Sequence, residues 1–269
     1  MVTLETSNEI LFLKKDDIFT KFITLVTKFL PLPPKIIYLD HPDKRLLSFS
    51  ETKSFPLLKS NDNFFSGTLP IIKYLIKSSK DISDGVNLDN RVILLGENLK
   101  EEAKVDMWLN FIFTKICPII VEIESQLYGK KLFDIRNFEF AVNDLLEILV
   151  EINNYLQLKP FLSANHVQLC DIMLTSVLFN CYNDIFTQNE INLIPNVISV
   201  LKFVSNMRLF IKVFGKAIPC KKVKNPQPYV ENKKEENSEG KNNKNNNNEK
   251  NKEGNNKEKK KKKNKKYFI

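Results

Sequence analysis

Apolar and polar residues alternate in blocks of different length along the first 80 residues. Short apolar blocks bounded by polar or proline residues predict strands, and longer blocks with apolar positions three and four apart predict amphipathic helices. The first helix joins two neighbouring strands, so those strands are predicted to be parallel. The blocks follow the order β-α-β-β-β-α: Glu9–Lys14, Ile18–Leu30, Lys35–Leu39, Phe55–Leu58, Asn63–Phe65 and Thr68 to about Ser78.

After Gly85 the apolar spacing is helical throughout. Pro118 is predicted to kink or divide the first long helix, because proline cannot donate a backbone hydrogen bond. Asn165 is predicted to cap the third helix, with Gln168 returning the bond. A last short apolar segment ends by Gly215, after four predicted helices: Leu99–Leu127, Asp134–Leu156, Asn165 to about Phe186, and Pro195–Asn206. Strands first and helices afterwards indicate two packed subdomains.

The last 49 residues, 221–269, change this pattern because they contain almost no apolar residues. They hold 17 Lys and 7 Glu, a net charge of +10, whereas the whole chain has +9, which leaves −1 for the first 220 residues. Such a segment cannot bury enough apolar surface to offset its conformational entropy, so we expect it to be disordered. Its excess of positive charge indicates polyanionic partners.

Composition excludes several classes of function. The apolar runs are shorter than a membrane span needs, and Glu5 and Glu9 lie where a secretory leader would be apolar. We therefore expect a cytoplasmic protein, or a peripheral one. Four cysteines without a C-x-x-C pair are expected to be reduced thiols, and two histidines, His41 and His166, are too few for a three-histidine zinc site. No metal or other cofactor is predicted.

Several short motifs, in this order, resemble glutathione transferases. The N-terminal motifs are similar to the thioredoxin-like half of these enzymes, and the later ones to the helical half found in accessory proteins of elongation factors and aminoacyl-tRNA synthetases. The motifs are Phe55-Pro56-Leu57-Leu58, Gly67-Thr68-Leu69-Pro70-Ile71-Ile72-Lys73-Tyr74-Leu75, Leu94-Leu95-Gly96, Glu101-Glu102-Ala103, Trp108-Leu109 and Leu169-Cys170-Asp171-Ile172. The resemblance covers residues 1–217 and implies a cis-proline at Pro56 and a structural role for Asp171 at its helix start.

The same resemblance implies that the chain is not an enzyme. Transferases activate the glutathione thiol with a Tyr, Ser or Cys just after the first strand, where this chain has Lys14-Lys15-Asp16-Asp17. Thr68 stands in place of the serine that holds glutathione, but Gly67 replaces the acidic or amide residue expected before it. Capping a helix is a simpler role for Thr68. Transferase activity with glutathione held by backbone groups near Pro56 and Thr68 stays open as an alternative.

The accessory proteins also supply expected partners. In them a transferase-like module docks onto synthetases or onto copies of itself, and a basic linker leads to a tRNA-binding domain. The Asn/Lys-rich composition makes the tRNA import proteins of apicomplexan parasites the nearest resemblance. The implied partners are glutamyl-, glutaminyl- or methionyl-tRNA synthetase, tRNA, and a second copy in a homodimer. The chain ends at Tyr267-Phe268-Ile269, either as the first part of a longer protein or at a natural end.

The tail contains one dense lysine cluster, which is the predicted nucleic-acid-binding site: Lys259, Lys260, Lys261, Lys262, Lys263, Lys265 and Lys266. No arginine is present there for bidentate base contacts, so binding to RNA phosphates is expected without sequence readout. Two alternatives stay open. The tail is a solvated low-complexity linker, or it holds the protein to an anionic membrane surface.

These observations predict an α+β fold of the glutathione-transferase type with three segments. We expect a thioredoxin-like subdomain over residues 1–80, an all-helical subdomain over 90–217 and a disordered basic tail over 221–269. The predicted function is a non-catalytic scaffold that assembles aminoacyl-tRNA synthetases through its folded part and assists tRNA binding through its tail.

Overall fold

The computed structural model describes residues 8–15, 17–41, 44–81 and 94–229. By its internal contacts the chain divides into two units, Met1–Val230 and Glu231–Ile269. The seven lysines of the predicted nucleic-acid-binding cluster belong to the second unit and lie outside the described residues. Within the described ranges, no helix combines the length and the apolar character that a membrane span requires.

A four-stranded mixed sheet forms the first part of the fold, in the order β2-β1-β3-β4. The strands are β1 Ile10–Lys14, β2 Lys35–Leu39, β3 Leu57–Ser60 and β4 Asn63–Ser66. The predicted parallel pairing of β1 with β2 is confirmed, with Ile10 opposite Lys35, and β3 is antiparallel to both β1 and β4. β1 lies inside the sheet, with β2 on one side and β3 on the other, and its alternate side chains Leu11 and Leu13 are buried.

The helices around this sheet differ from the prediction at their ends. Helix α1 is Thr20–Thr27, shorter than predicted, because the residues before it form a capped turn and those after it form tight turns. A five-residue helix, α2, Lys44–Ser48, was not predicted; it buries none of its residues, so no amphipathic pattern marks it. Phe55–Pro56 is a cis peptide bond, and α3 covers Thr68–Asp81.

Seven further α-helices lie within the described residues 94–229: α4 Leu99–Phe111, α5 Cys117–Leu127, α6 Ile135–Tyr155, α7 Leu169–Asp184, α8 Gln188–Leu193, α9 Pro195–Ser205 and α10 Arg208–Phe214. Helix α7 is central, since 12 of its 16 residues are buried. An all-round apolar helix is stable only in a core. Packing of α1 against α7 and α10 joins the sheet half to the helical half, and the Lys73–Asp106 ion pair at 2.7 Å joins α3 to α4.

Pro118 divides the first long helix, as predicted. Between α4 and α5 the chain makes a π-helical turn over Ile112–Ile116, and the Cys117 N–H donates to the Ile112 carbonyl, one residue further back than in an α-helix. The wider turn accommodates a proline that cannot donate to the preceding turn. The face that carries Ile112 and Ile116 therefore stays buried across the break.

The predicted start of α7 at Asn165 is wrong. The helix begins at Leu169, with Gln168 at its N-cap. The Asp171 carboxylate accepts the N–H of Gln168 at 2.9 Å and that of Leu162 at 2.9 Å. A buried carboxylate thus satisfies two backbone donors that would otherwise lack a partner. The residue identities around Asn165 gave a plausible cap three residues too early.

Residues 216–229 form an extended segment, here called the strap, that lies over the ends of two helices. Backbone N–H groups of the strap donate to carbonyls that helix ends leave unpaired: Cys220 to Tyr182, Lys224 to Asp184, and Gln227 to Leu127, at 2.8–3.1 Å. Residues 221–229, the first part of the predicted tail, therefore pair with helix ends of the folded part. Composition alone does not reveal such pairing, because the partners are distant in sequence.

Gly129 lets the strap approach closely, and we expect its replacement to release the strap. A Cβ at Gly129 would lie 2.4 Å from the Pro228 carbonyl oxygen, at a φ of +69°. Gly129→Ala should therefore speed trypsin cleavage after Lys224 well beyond the wild-type rate. Gly67→Ala is the control, because φ there is +94° but the nearest atom is 3.5 Å away. Each variant should lose about 1–2 kcal/mol through positive φ alone. Equal cleavage of both variants would contradict the strap contact.

Candidate functional site

The end of β1 is where transferase-like chemistry would require a hydroxyl or thiol. Lys14 and Lys15 are exposed there, and Asp17 is partly buried. The Asp17 carboxylate accepts the N–H of Phe19 at 2.8 Å, which uses one oxygen to cap the turn before α1. Burial raises the Asp17 pKa, against the opposing effects of that bond and of Lys14. This turn is organised for capping rather than for thiol activation.

The structure brings one hydroxyl to this place that the sequence analysis missed. Thr20 begins α1 and is buried. Its hydroxyl donates to the Lys14 carbonyl at 2.5 Å, so its proton is held by the backbone. A threonine six residues beyond the strand gave no signal in the sequence, because the loop length before the helix was not known. Its position is that of a turn-fixing residue.

The two positions predicted to surround glutathione do come together. Pro56 is buried, and its carbonyl accepts the N–H of Gly67 at 3.2 Å, next to Thr68. Thr68 is the first residue of α3 and is 5% exposed. Pro56, Gly67 and Thr68 thus form a backbone framework at the start of α3.

A cleft of about 350 Å³ lies between the β1–α1 turn and the helical half. One wall of the cleft is formed by the β1–α1 turn and α1. The opposite wall is formed by α5 with the turn that follows it, and by α7 and α10. Its charged lining residues are Lys14, Lys15, Lys21, Lys130, Asp17 and Glu124. Glu124 accepts a hydrogen bond from the Asn180 amide at 2.8 Å, and burial raises the Glu124 pKa. The cleft thus combines four lysines with two carboxylates that accept hydrogen bonds from the protein.

Tyr128 is the phenol in this cleft, and it is engaged. Its hydroxyl donates to the Asp184 carboxylate at 2.7 Å, and Lys224 of the strap contacts the same carboxylate at 3.1 Å. Burial raises the Tyr128 pKa far above its usual range, and the hydrogen bond to Asp184 raises it further. The phenol therefore does not supply a phenolate at neutral pH. Through Asp184, which contacts both Tyr128 and Lys224, it links the cleft to the strap.

All four cysteines are free and buried, as expected for reduced thiols. Burial raises the pKa of Cys117 to about 12 and raises those of Cys170, Cys181 and Cys220 as well. A thiolate is the reactive form of cysteine, so none of these thiols is prepared for nucleophilic attack. In the described ranges, no cluster of His, Cys, Asp or Glu is arranged to hold a metal ion.

A second, larger pocket of about 460 Å³ lies within the helical half, near the start of α4 and the end of α6. Two glutamates and two lysines line it, and the Lys159 ammonium lies 3.6 Å from the centroid of the Tyr155 ring. It contains His166 but is lined by residues 97–104 and 155–166 alone. We take the smaller cleft as the candidate site because it combines the end of β1 with both halves of the fold.

Asp171, the third residue with a predicted structural role, lies behind this helical pocket. It is fully buried, and burial raises its pKa to about 6 while the two backbone N–H bonds oppose that rise. His166 is exposed on the loop before it. Asp171 therefore acts through the loop it fixes and not through contact with a ligand.

The architecture defines the glutathione-transferase fold, a small mixed sheet followed by a helical region. No protein-family model matches the sequence. Three solved structures share the fold at low sequence identity. They are the GST-like domain of elongation factor 1-gamma from Saccharomyces cerevisiae, glutathione transferase F7 from Populus trichocarpa, and Ure2p in complex with glutathione.

The elongation-factor domain has a TM-score of 0.67 and 18% identity, over 84% of this chain and 100% of that one. The poplar transferase has a TM-score of 0.64 and 19% identity, over 76% and 97%. Ure2p has a TM-score of 0.63 and 13% identity, over 77% and 93%. At these identities the similarity shows the fold, which is the predicted one, and leaves activity undetermined.

One curated protein gives a sequence match, valine–tRNA ligase from Takifugu rubripes. It is 22% identical over 126 residues, which are 47% of this chain and 10% of that protein. The chain therefore spans about a tenth of the length of this relative. The matched region is a minor part of a synthetase, and the match concerns that region alone.

Proposed function

We propose that the protein is a non-catalytic adaptor that assembles aminoacyl-tRNA synthetases through its transferase-like part and assists tRNA binding through its basic tail. Residues 1–80 and 90–217 are the two halves of the docking module in this proposal. Glutamyl-, glutaminyl- or methionyl-tRNA synthetase are its proposed partners, as in the accessory proteins that the sequence resembles. The adaptor is proposed to work in the cytoplasm as a homodimer, for which light scattering at micromolar concentration is the test.

One observation carries the non-catalytic part of the proposal. At the end of β1 the chain offers Lys14 and Lys15, and the Thr20 hydroxyl nearby donates to the backbone. A thiol nucleophile needs a base or a hydrogen-bond donor that stabilises the thiolate. Thr20 and Tyr128 both direct their protons to protein acceptors. The cleft therefore supports binding better than thiol activation.

The proposed translation partners rest on three further observations. The chain is similar in sequence to part of a valine–tRNA ligase, and its fold is that of an elongation-factor domain. The tail adds a net charge of +10, which suits a nucleic-acid partner. These observations agree in direction and support an adaptor in the translation machinery.

Affinity capture from a lysate tests the proposal when bound proteins and RNAs are identified together. The bait is the full chain, and the matched bait has its seven clustered lysines, residues 259–263, 265 and 266, replaced by Asn. Both baits should capture identified synthetases after ribonuclease treatment, and only the unchanged chain should retain tRNA efficiently. Absence of any synthetase from both baits would contradict the adaptor function.

Glutathione transferase activity is the second candidate, because Pro56, Gly67 and Thr68 keep the backbone framework described above. We expect no turnover of a chlorodinitrobenzene-type substrate above the uncatalysed rate and no retention on immobilised glutathione. The physical reason is that lysine and aspartate side chains directly follow β1, and the nearby Thr20 hydroxyl donates to a backbone carbonyl. Lys14→Ala and Thr20→Ser are controls, and neither should change the result. Measurable turnover by the unchanged chain would replace the adaptor proposal with an enzyme.

A further inference from the structure

The cleft holds more positive charge than its own acids neutralise. Four lysines line it against two carboxylates, an excess of two positive charges when both acids are ionised. Of these lysines, Lys15 forms an ion pair with Asp40 at 2.6 Å outside the cleft. The Lys21 ammonium lies 5.7 Å from the Phe214 ring centroid, at the α10 wall. A concave basic surface of this kind concentrates anions.

The two acids of the cleft already have protein donors, which reduces their claim on the lysines. Asp17 accepts from the Phe19 backbone N–H, and Glu124 accepts from the Asn180 amide. Burial raises the pKa of both carboxylates. Lys130 lowers both pKa values and Lys21 lowers that of Glu124, so both ammonium groups are close enough to act on the cleft floor. An anionic ligand would compete with these two carboxylates for the Lys21 and Lys130 ammonium groups, because each carboxylate already accepts a hydrogen bond from the protein.

A buried hydroxyl without a partner provides a second, independent observation. Among the buried polar atoms of the described residues, the Ser176 Oγ has no hydrogen-bond partner, and Ser176 lines the cleft from α7. Buried hydroxyls without partners are costly and uncommon in folded proteins. The Ser176 oxygen is itself shielded from solvent, so it would donate to a ligand oxygen in the cleft only after its side chain turns toward the cleft.

Size and position indicate which anion fits. A volume of about 350 Å³ is near the lower limit of small-molecule sites, enough for one nucleotide but not for a duplex. The strap ends beside this cleft, since Pro228 lies against Gly129, the residue before Lys130. The chain continues from there into the lysine-rich tail, so a strand held by the tail would be at high effective concentration near the cleft.

We propose that this cleft binds a phosphate-bearing nucleotide, either as a residue of a single-stranded RNA or as a free mononucleotide, with Lys21 and Lys130 contacting the phosphate and Ser176 donating to an oxygen. The RNA source rests on the proposed tRNA-binding function, whereas the mononucleotide source does not. The site is separate from the predicted lysine cluster at residues 259–266. It gives the folded part of the chain a direct role in holding nucleic acid.

The test compares two double variants of the full chain that remove the same charge. Lys21→Glu with Lys130→Glu changes the cleft, and Lys100→Glu with Lys202→Glu changes two exposed lysines that do not line it. The probes are a labelled single-stranded oligouridylate, adenosine monophosphate, and adenosine as the probe without phosphate. Lys21→Gln with Lys130→Gln, together with thermal melting, covers a failure of the charge-reversed variant to fold.

We expect the cleft pair to lower affinity for the oligouridylate by about tenfold or more and its salt slope by about 1.4, the value for two phosphate contacts on a single strand. The control pair should change both much less. If the unchanged chain binds adenosine monophosphate but not adenosine, and the cleft pair loses this binding, the site is supported. Failure of the unchanged chain to bind RNA would then count only against the proposed tRNA function. Equal effects of the two pairs, or no binding of either phosphate-bearing probe, would overturn the proposal.

Discussion

Replacing Asp171 with alanine is expected to destabilise the protein more than any other single substitution near α7. The carboxylate accepts two backbone N–H groups, from Leu162 and Gln168, and is fully buried. Alanine would leave both donors without a partner, at about 1–3 kcal/mol for each unsatisfied group, or about 2–6 kcal/mol together. Such a loss is a large part of the stability of an ordinary domain. Urea denaturation followed by circular dichroism measures it.

Asp134→Ala provides a matched control in the same half of the fold. Asp134 caps α6 and also accepts two backbone N–H groups, from Arg136 and Asn137, but it is exposed. Water can replace its side chain, so its loss should cost only about 1 kcal/mol. If both variants lost the same stability, burial of the Asp171 cap would not be the cause.

The pH dependence of folding stability provides a second test of the buried Asp171 carboxylate. Burial raises the Asp171 pKa to about 6 in the folded protein, whereas an unfolded aspartate titrates near about 3.9. Between these values the folded state holds a proton that the unfolded chain has released. Stability of the wild type relative to Asp171→Asn should therefore fall as the pH rises from about 4 to about 6. A rise over that window would mean that the backbone bonds outweigh burial.

Local patterns were sufficient for the elements that bury one face. The apolar blocks at Glu9–Lys14 and Lys35–Leu39 predicted the parallel pair of β1 with the edge strand β2, and Pro118 predicted the break between α4 and α5. In each case the signal lies within a few residues. Helix α8 also had a local sequence signal, since Thr187 and Glu190 form a capping box, but the sequence analysis overlooked it.

The cleft could not be predicted, because its walls come from residues far apart in the chain. Lys14, Glu124 and Ser176 lie on different elements and meet only after the two halves pack. Tyr128 and Asp184 are separated by 56 positions, and nothing in either neighbourhood marks them as partners. The backbone pairing of the strap could not be predicted for the same reason, since its carbonyl partners belong to α5 and α7. Polar pairing over long range is what sequence patterns do not carry.

Neutralising the terminal lysine cluster is expected to remove most of the salt-sensitive RNA affinity. The seven lysines between positions 259 and 266 are uninterrupted by acids, and if about five of them neutralise phosphates, the logarithm of affinity falls by about 3.5–4.5 per tenfold rise in salt. Replacing all seven with Asn should remove that slope and weaken binding at low salt by two orders of magnitude or more, roughly. Fluorescence anisotropy with labelled tRNA over a salt series measures both quantities.

The tail supplies its own control, because a second set of seven lysines lies between positions 231 and 258. They are Lys233, Lys234, Lys241, Lys244, Lys250, Lys252 and Lys257, and seven glutamates lie between the same positions, so this stretch has no net charge. Replacing these seven with Asn removes the same charge from the chain but leaves the cluster intact. Neighbouring glutamates repel phosphates, so these lysines release fewer counterions and the slope should change less. If the two replacements reduced affinity equally, total charge rather than the terminal cluster would determine binding to RNA.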